Sequence, residues 1–149
     1  MAQPHTDTTT EVASLFGGKK ILKRAVAEPH EMREAVREGF PFQAFESFVK
    51  TMGIPLAAVT KALGIAPRTL ARRKGRHALS PEESDRLYRL ARVTLMAIQV
   101  LGTHEKAKQW LERPNRALGG EAPLHLLDTD IGAHQVETIL GRIDYGIFS

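Results

Sequence analysis

Apolar side chains recur at helical spacing through most of this chain. Phe42, Phe45, Val49 and Met52 stand at i, i+3, i+7 and i+10, on one helical face that ends at Gly53. Leu56, Val59 and Leu63 repeat the spacing up to Gly64, where a left-handed residue can turn the chain. A third short helix is predicted from Pro67 to Lys74: Pro67 suits its first position, and Ile65 can staple onto Leu70 across its start. Ala66 is a poor cap there, because it has no side-chain oxygen to accept an exposed N–H. Three short helices in this order predict a helix-turn-helix, with Leu56–Leu63 and Pro67–Lys74 as its two helices.

The strongest helix start is Ser80-Pro81-Glu82-Glu83. Ser80 can cap, Pro81 fits the first turn and Glu83 can bond back to Ser80. The stripe Leu87, Leu90, Ala91, Thr94, Leu95, Ile98 and Leu101 then runs to Gly102. So broad a stripe either joins two halves of one chain or carries a homodimer contact. Beyond it, Thr103–Arg113 predicts a helix with Ala107, Trp110 and Leu111 inward, Pro123–Leu127 a turn, and Asp130–Gly141 a helix with Ala133, Val136, Ile139 and Leu140 inward. Upstream, Leu15, Ile21, Leu22 and Val26 suggest a short helix, and Pro29–Arg37 another. No alternating run with hairpin punctuation occurs, so the fold expected is all-α.

This reading divides the chain into a disordered, Thr-rich tail (residues 1–13), a helix-turn-helix domain (14–86) and a smaller helical domain (87–149), the last two joined by the long helix. At 149 residues and 42% hydrophobic, the chain can bury a sizeable core as one ordinary domain or two small ones. The longest nearly apolar stretch, Val93–Leu101, is too short for a membrane span, and Met1–Glu11 lacks a secretion signal. A cytoplasmic protein is expected. The lack of cysteine excludes disulfides and thiolate metal sites.

Charge separates the two halves. No acidic residue occurs between Ser47 and Pro81, where Lys50, Lys61, Arg68, Arg72, Arg73, Lys74 and Arg76 contribute +7 to a chain whose net charge is +4. A local anionic partner is implied, with nucleic acid the first candidate. If Leu70 faces inward, Arg68, Thr69, Arg72 and Arg76 fall roughly opposite it. There Arg can bond guanine and Thr can reach a phosphate or a thymine methyl, while Lys61, Arg73 and Lys74 grip phosphates at the flanks. The alternative is a solvated basic face used only for protein contact. From Glu121 onward, five acids stand against Arg142 alone, so that end is not expected to touch DNA.

The chain also ends unusually, with Tyr145, Ile147 and Phe148 crowding its last five positions. Little chain follows to cover them, so either a partner covers them or the tail folds back over Val136 and Leu140. Catalytic and metal motifs are missing from the pattern. No H-E-x-x-H or phosphate-loop sequence occurs, and His125, Asp128 and His134 lack ligand spacing, so neither an enzyme nor a cofactor or metal site is expected.

The ordered runs Trp110-Leu-Glu-Arg-Pro-Asn-Arg-Ala-Leu-Gly-Gly, Pro123-Leu-His-Leu-Leu-Asp-Thr, Gly132–Leu140 and Gly141-Arg-Ile-Asp-Tyr-Gly-Ile-Phe-Ser149 resemble the toxin-binding domain of the Xre/MbcA/ParS antitoxins. Leu63-Gly64-Ile65-Ala66-Pro67-Arg68-Thr69-Leu70, followed by Arg72-Arg73-Lys74, is similar to the helix-turn-helix segment of the same family, although many regulators share its outline. The resemblance implies a bacterial antitoxin that neutralises a RES-type toxin, one that degrades NAD or uses it for ADP-ribosylation. It further implies that the C-terminal residues Tyr145, Ile147, Phe148 and Ser149 cover the toxin's active-site cleft, with the carboxylate at Ser149 placed to mimic a phosphate. Operator DNA bound through the helix-turn-helix, a homodimer within a larger complex and repression of its own operon complete the expectation. The alternative is a stand-alone regulator whose C-terminal domain only oligomerises.

Overall fold

The computed structural model describes residues 5–146, and its elements follow the caps and breakers of the sequence. Helices α1 (His5–Leu15), α2 (Gly18–Leu22) and α3 (Pro29–Glu38) precede the helix-turn-helix unit α4 (Phe42–Met52), α5 (Leu56–Ala62) and α6 (Pro67–Arg76). The long α7 (Pro81–Leu101) leads to α8 (His104–Glu112), two 3-10 turns (Arg116–Leu118 and Pro123–Leu126) and α9 (Asp130–Asp144). Among the described residues no strand forms beyond one isolated antiparallel bridge, Pro41 to Ala78, and the fold is all-α as expected. No helix among them is long and apolar enough to cross a membrane.

Local chemistry sets the ends of α7. Ser80 Oγ accepts the Glu83 N–H at 3.1 Å while Glu83 Oε1 accepts the Ser80 N–H at 2.8 Å, the reciprocal pair that the sequence predicted. Gly102, at φ 101°, ends the helix in a conformation that would strain any residue with a Cβ. Between these ends α7 packs against α9, α8, α3 and α1, which bury Leu87, Leu90, Ala91, Val93, Thr94 and Ala97. The stripe is therefore covered within the chain from Leu87 to Leu95, while Ile98 and Leu101 are half-buried. One continuous hydrophobic core runs from Val12 in α1 to Leu140 in α9.

Three expectations are corrected here. Of the tail expected to be disordered (residues 1–13), residues 1–4 lie outside the described residues, and from His5 the chain forms α1 (His5–Leu15), with Val12, Ala13, Leu15 and the following Phe16 buried and the Phe16 ring centroid 4.8 Å from that of Phe40. A Thr-rich stretch reads as polar, but its helix is stabilised by burying one apolar edge. In α4, Phe48 is fully buried and Val49 only half, so the inward face is rotated toward Phe45 and Phe48. Leu56 is 50% exposed, because α5 buries Val59 and Ala62, with Leu63 just after it.

Candidate nucleic-acid face and toxin-binding end

Helix α6 rides on the body by a few contacts. Ile65 is buried just before it and donates its N–H to Thr60 O at 3.1 Å. Leu70 is half-buried against the core, and no residue of α6 is fully buried. Ala66 makes no side-chain cap bond. Lys61, Arg68, Arg72, Lys74 and Arg76 are exposed and Thr69 is half-buried, so the structure brings these residues to the α5–α6 side of the molecule with their polar groups facing outward.

Arg73 stands apart. Its Nε donates to Glu83 Oε1 at 2.8 Å, with the two side chains 19% and 8% exposed, so this guanidinium ties α6 to the first turn of α7. Burial pushes the Glu83 carboxyl up, but the bonds from Arg73 and the Ser80 N–H outweigh it, and the group is held below its ordinary value. The basic run alone could not distinguish Arg73 from its neighbours. The capping role of Glu83 was legible, but its second partner was fixed only by the return of the chain after α6.

That return is held by a short strap. Phe42 donates its N–H to His77 O at 3.0 Å, Leu79 to Phe40 O at 2.9 Å, and Phe40 to Ser84 Oγ at 2.8 Å. His77 ends α6 at φ 62°, in the left-handed region.

At the other end, Thr129 Oγ1 caps α9 by accepting the Gly132 N–H at 3.0 Å. Gly132 presses against the preceding 3-10 turn, where an added Cβ would lie 1.9 Å from Leu126 O. Arg92 of α7 reaches Glu137 of α9 through Nε at 3.1 Å and Nη2 at 3.4 Å, and Arg89 donates to Leu127 O at 3.4 Å. Glu121, Asp128, Asp130 and Asp144 are exposed, against Arg142 as the one exposed Lys or Arg from Glu121 to Gly146, so this segment presents mainly acids. Tyr145 is 80% exposed after the last turn of α9, and Ile131 at its start is 76% exposed. Ile147, Phe148 and Ser149 lie outside the described residues. His125, Asp128 and His134 do not converge, and no group of His, Asp and Glu among the described residues is placed to hold a metal ion.

Residues 31–92 match the family model of the antitoxin Xre-like helix-turn-helix domain, and residues 96–146 that of the antitoxin Xre/MbcA/ParS C-terminal toxin-binding domain. An Antitoxin Xre of Yersinia enterocolitica is 35% identical over 118 residues, 78% of this chain and 80% of the relative. One of Photorhabdus laumondii is 33% identical over 123 residues, 81% of this chain and 82% of its own length. The Prs ADP-ribosylating antitoxin of a Sphingobium species is 26% identical over 140 residues, 87% of each chain. The basic helix-turn-helix and the acidic helical end thus fall, in order, on the two domains of these relatives, and the chain belongs to the antitoxin Xre family.

Proposed function

We propose that this antitoxin neutralises a RES-domain toxin, one that degrades NAD or transfers its ADP-ribose, by laying its C-terminal segment over the toxin's active site. The observation that carries this reading is Tyr145, which stands 80% exposed beyond α9 and is not folded over Val136 and Leu140. Burying a side chain of this size contributes roughly 1.5–3 kcal/mol, and Ile147 and Phe148 follow it in sequence. Ser149 completes the segment. The exposed acids of this end suit a cleft that otherwise receives the phosphates of NAD. The name of the Sphingobium relative supports ADP-ribosyl chemistry in the partner. The antitoxin acts by binding, without turnover of its own.

The same chain binds operator DNA in the cytoplasm and represses its operon, with Arg68, Thr69, Arg72 and Arg76 toward the major groove and Lys61 and Lys74 on phosphates. Their exposure, and the absence of an ion pair to any of these five cations among the described residues, support the assignment. Arg73 takes the positioning role given by Glu83. A homodimer presents two copies of α6 to the two half-sites of an operator. Co-expression with the neighbouring toxin gene tests the first part: the full chain restores growth and a chain ending at Asp144 does not. Full protection by the shortened chain would refute the covering role of the tail.

A further inference from the structure

The run of charge that marks α6 begins at Lys50 in the sequence, and Lys20 and Lys23 lie far upstream of it. The fold closes that separation. Helix α2 packs on α4, and Lys23, the residue that caps α2, lines a cleft of about 600 Å³ together with Gln43 and Glu46 of α4, Lys74 of α6 and His77. An adjoining cleft of about 480 Å³ continues past Gln43 and Glu46, between Lys20 and Lys50. Four lysines and a histidine therefore line two adjoining clefts that share a single carboxylate, Glu46.

None of the four lysines enters an ion pair among the described residues, whereas Arg24, Arg37, Arg73 and Arg92 are each paired with a glutamate. Converging like charges repel, and they are tolerated best where an anion neutralises them. The backbone carries a second sign. Lys23 at φ 61° and His77 at φ 62° are the two non-glycine residues with positive φ among the described residues, and both line this cleft. Glycine fits such helix ends with less strain, so each position holds a polar side chain against conformational preference.

The cleft also abuts the C-terminal end of α6. A duplex that takes α6 into its major groove brings a sugar-phosphate strand to the ends of that helix. We propose that the cleft between α2, α4 and α6 seats a phosphate of the DNA backbone, with Lys23 as a phosphate contact, and that α2, which precedes the matched residues 31–92, extends the DNA-binding surface. This rests on the operator binding proposed above.

The experiment measures binding of the full chain to a duplex from its own promoter across a salt series. Lys23→Gly removes the charge and relieves the positive φ, so its melting temperature equals or exceeds that of the parent. Its plot of log K against log salt is shallower by about 0.9, the share of one phosphate contact. Lys23→Arg keeps the parent slope. Glu46→Gln binds about two- to fivefold tighter, because it removes the carboxylate that lines both clefts. Lys19→Ala, on the same helix but outside both clefts, leaves the slope unchanged. A parent slope in Lys23→Gly, with binding abolished by Arg68→Ala, overturns the cleft assignment and leaves operator binding in place. An equal loss in Lys19→Ala also overturns it, since the effect is then one of general charge. No binding by the parent chain overturns both readings.

Discussion

Arg73 and Glu83 meet at 2.8 Å where the exposed α6 joins the buried α7, and the same carboxylate oxygen also accepts the Ser80 N–H. One group thus closes a helix cap and fixes the orientation of its neighbour. Losing it removes both. Glu83→Ala should lower stability by about 2–4 kcal/mol, because it weakens a cap and breaks on one side an ion pair whose arginine is still partly reached by solvent. Arg73→Ala should weaken DNA binding and stability together, whereas Arg72→Ala should weaken binding with an unchanged melting temperature. Thermal melts run alongside gel shifts separate the two arginines.

The same pair sets an acid limit. Glu83 is held below its ordinary value of 4.5, so the stability it contributes is fully present above that value and is lost as pH falls through the depressed one. In Arg73→Ala, burial acts on the carboxyl with less opposition and its pKa rises. Acid unfolding should then begin at higher pH. Melting temperatures measured between neutral pH and about pH 3 test the sign, and a transition unmoved by Arg73→Ala would contradict it.

Two glycines of α9 should respond in opposite directions. Gly132→Ala drives a methyl group into Leu126 O, a backbone atom that cannot swing aside, and should cost about 1–3 kcal/mol. Gly141→Ala meets nothing within 4 Å and should add roughly 0.5–1 kcal/mol through helix propensity. Urea titrations of both variants measure the difference.

On the DNA side, each exposed cation that meets a phosphate contributes about 0.9 to the salt slope. Lys61→Ala and Lys74→Ala should each flatten that slope by this amount and weaken binding evenly across sequences. Arg68→Ala should relax the sequence preference as well, by about 1–3 kcal/mol at the base it reads. Competition between operator and unrelated duplex distinguishes the two effects.

Tyr145 is exposed in the chain alone, so its removal should matter only in the complex. Tyr145→Ala should leave the melting temperature unchanged and weaken toxin binding at least about tenfold, or ~1.4 kcal/mol. Titration calorimetry against the catalytically inactive toxin reads it directly.

Much of this arrangement was legible along the chain. Ser80, Pro81 and Glu83 announced α7, Pro67 announced α6, and Gly53 and Gly102 marked the stops of α4 and α7, because caps and breakers act over three or four residues. The outward direction of Arg68 and Arg72 followed from placing Leu70 inward. Less visible was α1, where Val12 and Leu15, with Phe16 just after the helix, are too few to signal a helix without the core they pack into. Arg73 was grouped with the DNA-facing cations, since its sequence neighbours are all basic.

The sequence by itself determined an all-α chain with a basic helix-turn-helix and a separate acidic end, since periodicity, capping and charge are properties of short stretches. Tertiary structure alone decided which cations are engaged. Arg73 is bound to Glu83 ten residues on, Arg92 to Glu137 from another helix, and Lys23 is brought beside Lys74 and His77. The physical reason is distance: an ion pair or a cleft depends on separations of a few ångströms in space, and these follow from how helices pack rather than from their order in the chain.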